Sequence, residues 1–334
     1  MFPFFTTIEK NKTLLKKHIS KWLSILLPVL LGIFLIVYTY EKFTSEQILE
    51  IKGYFKNADY SYIYIGLVMA FLGNASRAYR WKFALEHMGY STSFYNNFIA
   101  VNIGYLLNLT VPKSGEISRA VILKKYENVP FDKGFGSIVA ERIVDMIVLL
   151  FFVIVAIFLQ FDIVKTFILD KIPLKKLLFL VVLFVLFFIV LLRTYLYSKK
   201  KWVLKLKEKV SGLKEGFVSI LHIKKKWSYF FHTSFIWFSY LFTFYITLFV
   251  IPQTSNLSIG AIMTAFVVGS VAISFTNSGL GSYPFLISKI LLFYSIPETA
   301  GNAFGWIVWS SQMLLVLVLG LLSFLFLPIL NRNK

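Results

Sequence analysis

Glu141-Arg142-Ile-Val-Asp145 opens directly onto the apolar stretch from Met146 to Phe161. On a helix Glu141 and Asp145 share a face, and Arg142 can reach Asp145. Deep in a membrane span each such charge costs roughly 2.5–3.5 kcal/mol on insertion scales, so the groups must face a partner or a wet cavity. At headgroup level the cost is small and no pocket is needed. A second run is Pro112-Lys113-Ser114-Gly115-Glu116-Ile-Ser-Arg119. Proline ends the preceding segment and glycine permits a tight return. Glu116 and Arg119 then fall on one face of the helix that follows. Arg119 with Lys113 could grip a phosphate, since the guanidinium fork matches phosphate oxygens. A helix cap with a local ion pair accounts for the same residues.

Two further groups carry less signal on their own. Asn74, Arg77 and Arg80 end an apolar stretch, where they read either as headgroup ligands or as cytoplasmic anchors with Tyr79 and Trp81 at the interface. Asn277-Ser-Gly279-Leu-Gly281-Ser-Tyr283 is a glycine-rich turn whose backbone amides could face an anion. Its value comes from its place, which matches that of Ser114-Gly115-Glu116 in the first half. Each turn is followed by Val129-Pro130 or Ile296-Pro297 and a long apolar stretch. Paired interrupted segments of this kind point to a substrate site near the bilayer midplane, built from repeats. The four histidines, His18, His87, His222 and His232, show no zinc spacing, and no metal site is expected.

The elements that must hold these residues are membrane helices. The 334 residues are 57% hydrophobic and 18% aromatic, with a mean hydropathy of +0.72, which excludes an ordinary soluble globule. Absence of cysteine excludes a disulfide framework and thiolate metal sites. The first apolar run, from Trp22 to Thr39, has no small-residue cleavage site after it and reads as a retained span. A net charge of +19 would suggest nucleic acid in a soluble chain; here it reads as cytoplasmic loops meeting anionic lipid, with no nucleic-acid partner.

Charge placement sets the expected topology. Lysines 10 to 21 put the N-terminus in the cytoplasm, and Arg332 and Lys334 put the C-terminus there. Eight full spans would leave the basic stretch Arg193 to Lys226, with its eleven Lys and Arg, outside. About six full spans plus two re-entrant hairpins, the segments from Thr92 and from Ser258 to Pro297, restore the positive-inside bias. The dipping segment, rich in Asn96, Asn97, Asn102, Asn108 and Gly104, makes a poor lipid-facing span, and irregular backbone is expected in it. The expectation is one all-α polytopic domain over 1–334, with repeat cores at about 92–161 and 258–330 in opposite orientation. A basic cytoplasmic loop at about 193–228 carries an amphipathic helix through Leu206, Val210, Leu213, Phe217 and Leu221, suited to the lipid interface.

These motifs together resemble the lysylphosphatidylglycerol synthase transmembrane, or flippase-like, family over most of the chain. The resemblance is carried by Arg77-Ala-Tyr-Arg80-Trp81, by Asn108-x-x-x-Pro112-x-x-Gly115-Glu116-x-x-Arg119, by Glu141-Arg142-x-x-Asp145 and by Gly279-Leu-Gly281-Ser-Tyr283. It implies a membrane fold that moves aminoacylated phosphatidylglycerol between leaflets when fused to a soluble transferase. The sequence given contains no such transferase domain. Ser278 stands where the family usually has glycine, the acidic residue some members carry in that motif is absent, and Trp309-Ser-Ser-Gln312 stands where others often have an arginine. These departures bear on the headgroup more than on the fold.

The leading expectation is a non-enzymatic lipid translocase of the bacterial inner membrane, acting on an anionic or aminoacylated phospholipid. Arg77, Arg80 and Arg119 would neutralise phosphate; Glu116, Glu141 and Asp145 would orient them or meet a cationic headgroup. No nucleotide-binding motif occurs, so movement is expected to be passive or ion-coupled, without a cofactor. A lipid phosphatase is a weaker alternative, because Glu116 stands where such enzymes need a histidine nucleophile. A membrane partner of a separate synthase, docked through the basic loop, is the third reading.

Overall fold

The computed structural model describes residues 26–161, 174–198, 200, 203–204, 207 and 223–332. Eleven α-helices can be traced among the described residues, with no strand: α1 (Leu26–Lys42), α2 (Ser45–Asn57), α3 (Ser61–His87), α4 (Phe94–Thr110), α5 (Ser114–Tyr126), α6 (Phe131–Leu159), α7 (Leu174–Tyr197), α8 (Lys226–Thr247), α9 (Ile259–Ala272), α10 (Ser282–Phe293) and α11 (Glu298–Leu330). The expected all-α architecture is therefore present. The N-terminal lysines and nearly all of the expected amphipathic helix at 206–221 lie outside the described residues.

Among the described residues three helices are counted as long and apolar enough to cross a membrane: α6, α8 with its continuation to Val250, and α11. A fourth crossing is available if α1 and α2 count as one broken span, but a bend of 114° separates them. That bend is fixed at Thr44, whose side chain accepts from Gln47 N while its own N–H donates to the Gln47 side chain. The expected set of about six spans is thus met only in part. α3 has the length at 27 residues but carries Arg77, Arg80 and Lys82, two of them buried against protein. The apolar exteriors of α1, α6 and α11, with Leu27, Phe151, Phe158 and Leu325 all exposed, suit lipid contact.

α4 with α5 and α9 with α10 form two hairpins, each followed by a proline and a long helix. α4 and α5 meet over a tight turn at Lys113, held by the Ser114 hydroxyl donating to the Leu107 carbonyl at 2.9 Å. A side chain on Gly115 would meet the Gly104 carbonyl oxygen at 2.1 Å, so only glycine allows this approach. α9 and α10 meet over a longer turn through Ser278 and Gly279, both in the left-handed region. Helices of 12 to 14 residues, as in α5, α9 and α10, reach about 18–21 Å at 1.5 Å per residue, short of a core about 30 Å thick. Contrary to the expectation of irregular backbone, α4 is a regular helix. Asn96, Asn97 and Asn102 are buried within the protein and bonded there, Asn97 to Thr92 and Asn102 to the Phe98 carbonyl, while Asn108 is partly buried.

Both hairpins end in the same local device. Asn128 and Ser295 have positive φ, Val129 N and Ile296 N reach back to Leu123 and Leu291, and Pro130 and Pro297 cap the next helix. Proline fits there because the first helical N–H groups lack intrahelical partners. α3 and α8 run antiparallel along a seam of small residues. Gly66 lies against Thr243 and Thr247, Gly73 against Ser239, and Ser76 against His232. Two crosswise packings complete the bundle: α4 on α11 (Leu106 at Gly320) and α6 on α9 (Gln160 at Gly260). α1 joins the second hairpin backbone to backbone, since a Cβ on Gly281 would stand 2.3 Å from the Gly32 carbonyl oxygen.

Candidate functional site

α3, α5 and α6 converge to bring charges from distant parts of the sequence into one network. The carboxylate of Asp145 accepts from Arg80 Nη1 at 2.7 Å and Arg77 Nη1 at 2.9 Å. One turn earlier, Glu141 accepts from Arg119 Nη2 at 2.8 Å and lies 3.6 Å from Arg80 Nε. The two carboxylates are four apart on α6, so one face of that helix presents both to the arginines, which are three apart on α3. Arg80 and Glu141 are 0% and 1% exposed at their side chains. Charges so placed require partners, because an isolated ion loses several kcal/mol of hydration without compensation.

Aromatic and hydroxyl groups complete the inner shell. Arg119 lies over the ring of Trp81 at 4.0 Å, and the Trp81 indole N–H donates to the Ser137 hydroxyl at 2.8 Å. Arg77 Nη2 donates to the Tyr240 hydroxyl at 3.0 Å, which ties α3 to α8. At the outer rim Arg142 Nη2 pairs with Glu116 at 3.0 Å, with its side chain 42% exposed. Asn108 holds both sides of the first hairpin: its Oδ1 accepts from Gly115 N at 2.8 Å and its Nδ2 approaches Glu116 at 3.4 Å.

Beside this network is a cavity of about 650 Å³, bounded by α3, α4, α6, α8, α9 and α11 and by the tip of the second hairpin. Arg77, Arg142, Asp145, Asn74 and Asn108 line one part of it. Ser270, Ser274, Ser278 and Gln312 line another, and Trp237, Phe244 and Phe266 supply apolar wall. A mostly apolar concavity with a few convergent polar groups is the usual form of a small-ligand site.

The residues singled out from sequence divide accordingly. Arg77, Asn108, Arg142, Asp145 and Tyr283 line the cavity; Arg80, Arg119 and Glu141 are joined to it through ion pairs, and Glu116 through its pair with Arg142 and its contact with Asn108. Arg77, Arg80 and Trp81 are buried within the bundle, which corrects the reading of them as interface anchors; Tyr79, 41% exposed, fits that reading. Glu116 and Arg119 do not pair with each other locally, since each finds its partner on α6. Lys113 stands exposed at the hairpin turn, away from the cavity lining. Ser114, Gly115 and Gly281 act in hairpin closure and helix contact, while Gly279 supplies a positive φ. Asn277 donates to the Thr110 carbonyl at 3.3 Å, so the tips of the two hairpins touch.

Tyr240, Trp237, Ser270 and Ser274 were not singled out from sequence. α8 and α9 carry no Asp, Glu or Arg, and a tyrosine or serine in an apolar helix has no spacing that sets it apart. Among the described residues no cluster of His, Asp and Glu could hold a metal ion.

The family described as "Lysylphosphatidylglycerol synthase TM region" matches residues 25–330. A UPF0104 membrane protein of Methanocaldococcus jannaschii is 33% identical over 99 residues, which is 29% of this chain and 30% of that protein. The match therefore spans under a third of that relative, and as its source is archaeal it lends no support to a specifically bacterial origin. No solved structure matches.

Proposed function

This chain belongs to the lysylphosphatidylglycerol synthase transmembrane-region family, a multi-pass membrane protein, and from that premise we propose that it translocates lipid headgroups across the bilayer. The observation that carries this reading is the cavity of about 650 Å³ at the meeting of the two hairpin tips, with the buried Arg77 and the partly exposed Arg142 at one side. A headgroup would occupy it while the acyl tails stay in the surrounding lipid. Arg77 and Arg142 would meet the phosphate, and Arg80, Arg119, Glu116, Glu141 and Asp145 would hold them in position. Preorganised charge of this kind binds without further cost of arranging the site.

In the same reading α3–α6 and α8–α11 are two units in inverted orientation. Support comes from the antiparallel course of α3 and α8, the repeated turn into Pro130 and Pro297, and the crosswise packing of α4 on α11 and α6 on α9. Rocking of one unit against the other would then expose the cavity alternately. Both termini would be cytoplasmic on the positive-inside rule. The chain would act without chemistry on the lipid, as the family is a membrane region rather than a transferase domain.

The test is leaflet exchange of headgroup-labelled phosphatidylglycerol and its aminoacylated analogue in proteoliposomes. Exchange by the wild type that is lost in Arg77→Gln and Arg119→Ala, with both variants folded, supports the reading. Exchange untouched by Arg119→Ala and Glu116→Ala overturns the site assignment; no exchange of any lipid by folded protein overturns translocation.

A further inference from the structure

The charge ledger of the network says what the cavity can accept. Three carboxylates face four guanidiniums, and each carboxylate is ion-paired. Asp145 takes Arg77 and Arg80, Glu141 takes Arg119 and, at 3.6 Å, Arg80, and Glu116 takes Arg142 and Asn108. The donors are in surplus. Among the described residues Arg77 Nε, Arg80 Nε, Arg80 Nη2 and Arg119 Nε are buried with no hydrogen-bond partner, against a single carboxylate oxygen in that state, Glu141 Oε1. At the cavity wall itself two arginines, Arg77 and Arg142, stand against one carboxylate, Asp145, which is paired with Arg77, with Arg80 and, at 4.0 Å, with Arg142.

The opposite wall carries no charge at all. Counting from the capping prolines, the positions of Glu141, Arg142 and Asp145 after Pro130 correspond to Val308, Trp309 and Gln312 after Pro297. Ser270, Ser274 and Ser278 line the cavity along with Gln312, and all of these donate or accept neutral hydrogen bonds. An ammonium group brought to this cavity would find no free carboxylate and two like charges, and an unpaired buried cation is costly.

Resting on the translocase reading, we infer that the cavity takes a lipid with an anionic phosphate and an uncharged, hydroxyl-bearing headgroup, and rejects a cationic aminoacylated one. The phosphate meets Arg77 and Arg142; the hydroxyls meet the serines and Gln312. Selectivity arises mainly from the missing counter-charge on the α9–α11 side. Specificity against a partner often comes from such an unmet group rather than from added attraction.

The full-length protein, held in detergent with labelled phosphatidylglycerol, is challenged with unlabelled phosphatidylglycerol, phosphatidylethanolamine or lysylphosphatidylglycerol. Phosphatidylglycerol should displace the label at about tenfold lower concentration than the lysyl form. Arg142→Gln, at a half-exposed position, should narrow that ratio. Gln312→Glu places an unpaired carboxylate on the neutral wall and should move preference toward the lysyl form. Equal or tighter binding of the lysyl form by the wild type, or retention of neither lipid, overturns the inference. Leaflet exchange is read separately. Preference for phosphatidylglycerol without exchange removes translocation and leaves the ligand class standing.

Discussion

Asn277 donates its side-chain amide to the Thr110 carbonyl, so the turn of the second hairpin rests on the last turn of α4 in the first. The contact is a single neutral bond at 3.3 Å, worth about 1 kcal/mol, and Asn277 Oδ1 has no partner among the described residues. It is suited to a junction that must part. In this cysteine-free chain, cysteines at 110 and 277 should react with a bifunctional reagent. Cross-linked protein should lose lipid exchange and recover it on release of the link. Exchange at full rate while linked would show that the tips stay together throughout.

The two classes of ion pair should separate by stability. Glu141 and Arg80 are buried, and removing one partner leaves the other charge unmet, a loss of about 3–5 kcal/mol. Arg142 and Glu116 are partly exposed and should contribute about 0–1 kcal/mol. Glu141→Ala should therefore lower the unfolding midpoint in detergent strongly, and Glu116→Ala only slightly. Equal effects would contradict the burial difference.

Glycine substitutions offer a sharper contrast. Gly115→Ala drives a methyl into the Gly104 carbonyl at 2.1 Å and should open the first hairpin or prevent folding. Gly136→Ala meets nothing within 4 Å and sits inside α6, so it should be neutral or stabilise by up to about 1 kcal/mol. Yield of monodisperse protein and thermal midpoints would read both.

The end of α11 is fastened to the start of α4 by a reciprocal amide pair. Asn331 Nδ2 donates to Asn96 Oδ1 at 2.8 Å, and Asn96 Nδ2 donates to Asn331 Oδ1 at 2.9 Å, with both residues buried. Asn331→Ala leaves the Asn96 amide short of a partner and should cost about 1–3 kcal/mol. Faster hydrogen exchange confined to the last turns of α11 would be the signature; unchanged exchange would count against it.

Opposite orientation of the two units predicts the labelling pattern of introduced cysteines. Positions 125 and 289 should react with an impermeant reagent from opposite sides of the membrane. Reaction of both from one side would rule out the inverted arrangement.

Much of this organisation was legible in the chain. The turns at Pro112–Gly115 and Asn277–Gly281 and the prolines at 130 and 297 marked both hairpins, because turn chemistry is local. Charges near apolar runs marked Arg77, Glu141 and Asp145, because such groups are too costly to be incidental. Pairing was not legible. Spacing joined Glu116 to Arg119, while packing of α5 on α6 gave each a different partner. Nor could sequence show that Asn96, Asn97 and Asn102 would be bonded within the protein, which lets α4 stay regular. Of the uncharged wall, Ser278 and Gln312 stood out as departures from the family pattern, but Ser270 and Ser274 left no trace, since serines in apolar helices usually bond their own backbone, as Ser270 does to Phe266.

The close contact of Gly32 with Gly281 has a consequence for the order of assembly. α1 leaves the ribosome early, but the surface it rests on is made only when most of the chain has followed. At about 5–20 residues per second, that delay is about ten to fifty seconds. During it α1 must wait in lipid as a lone helix, which its exposed Leu27, Leu30 and Phe34 allow. A bulkier residue at position 32 would leave membrane insertion intact and act only at the last joining step, so the variant should accumulate as inserted protein with α1 undocked.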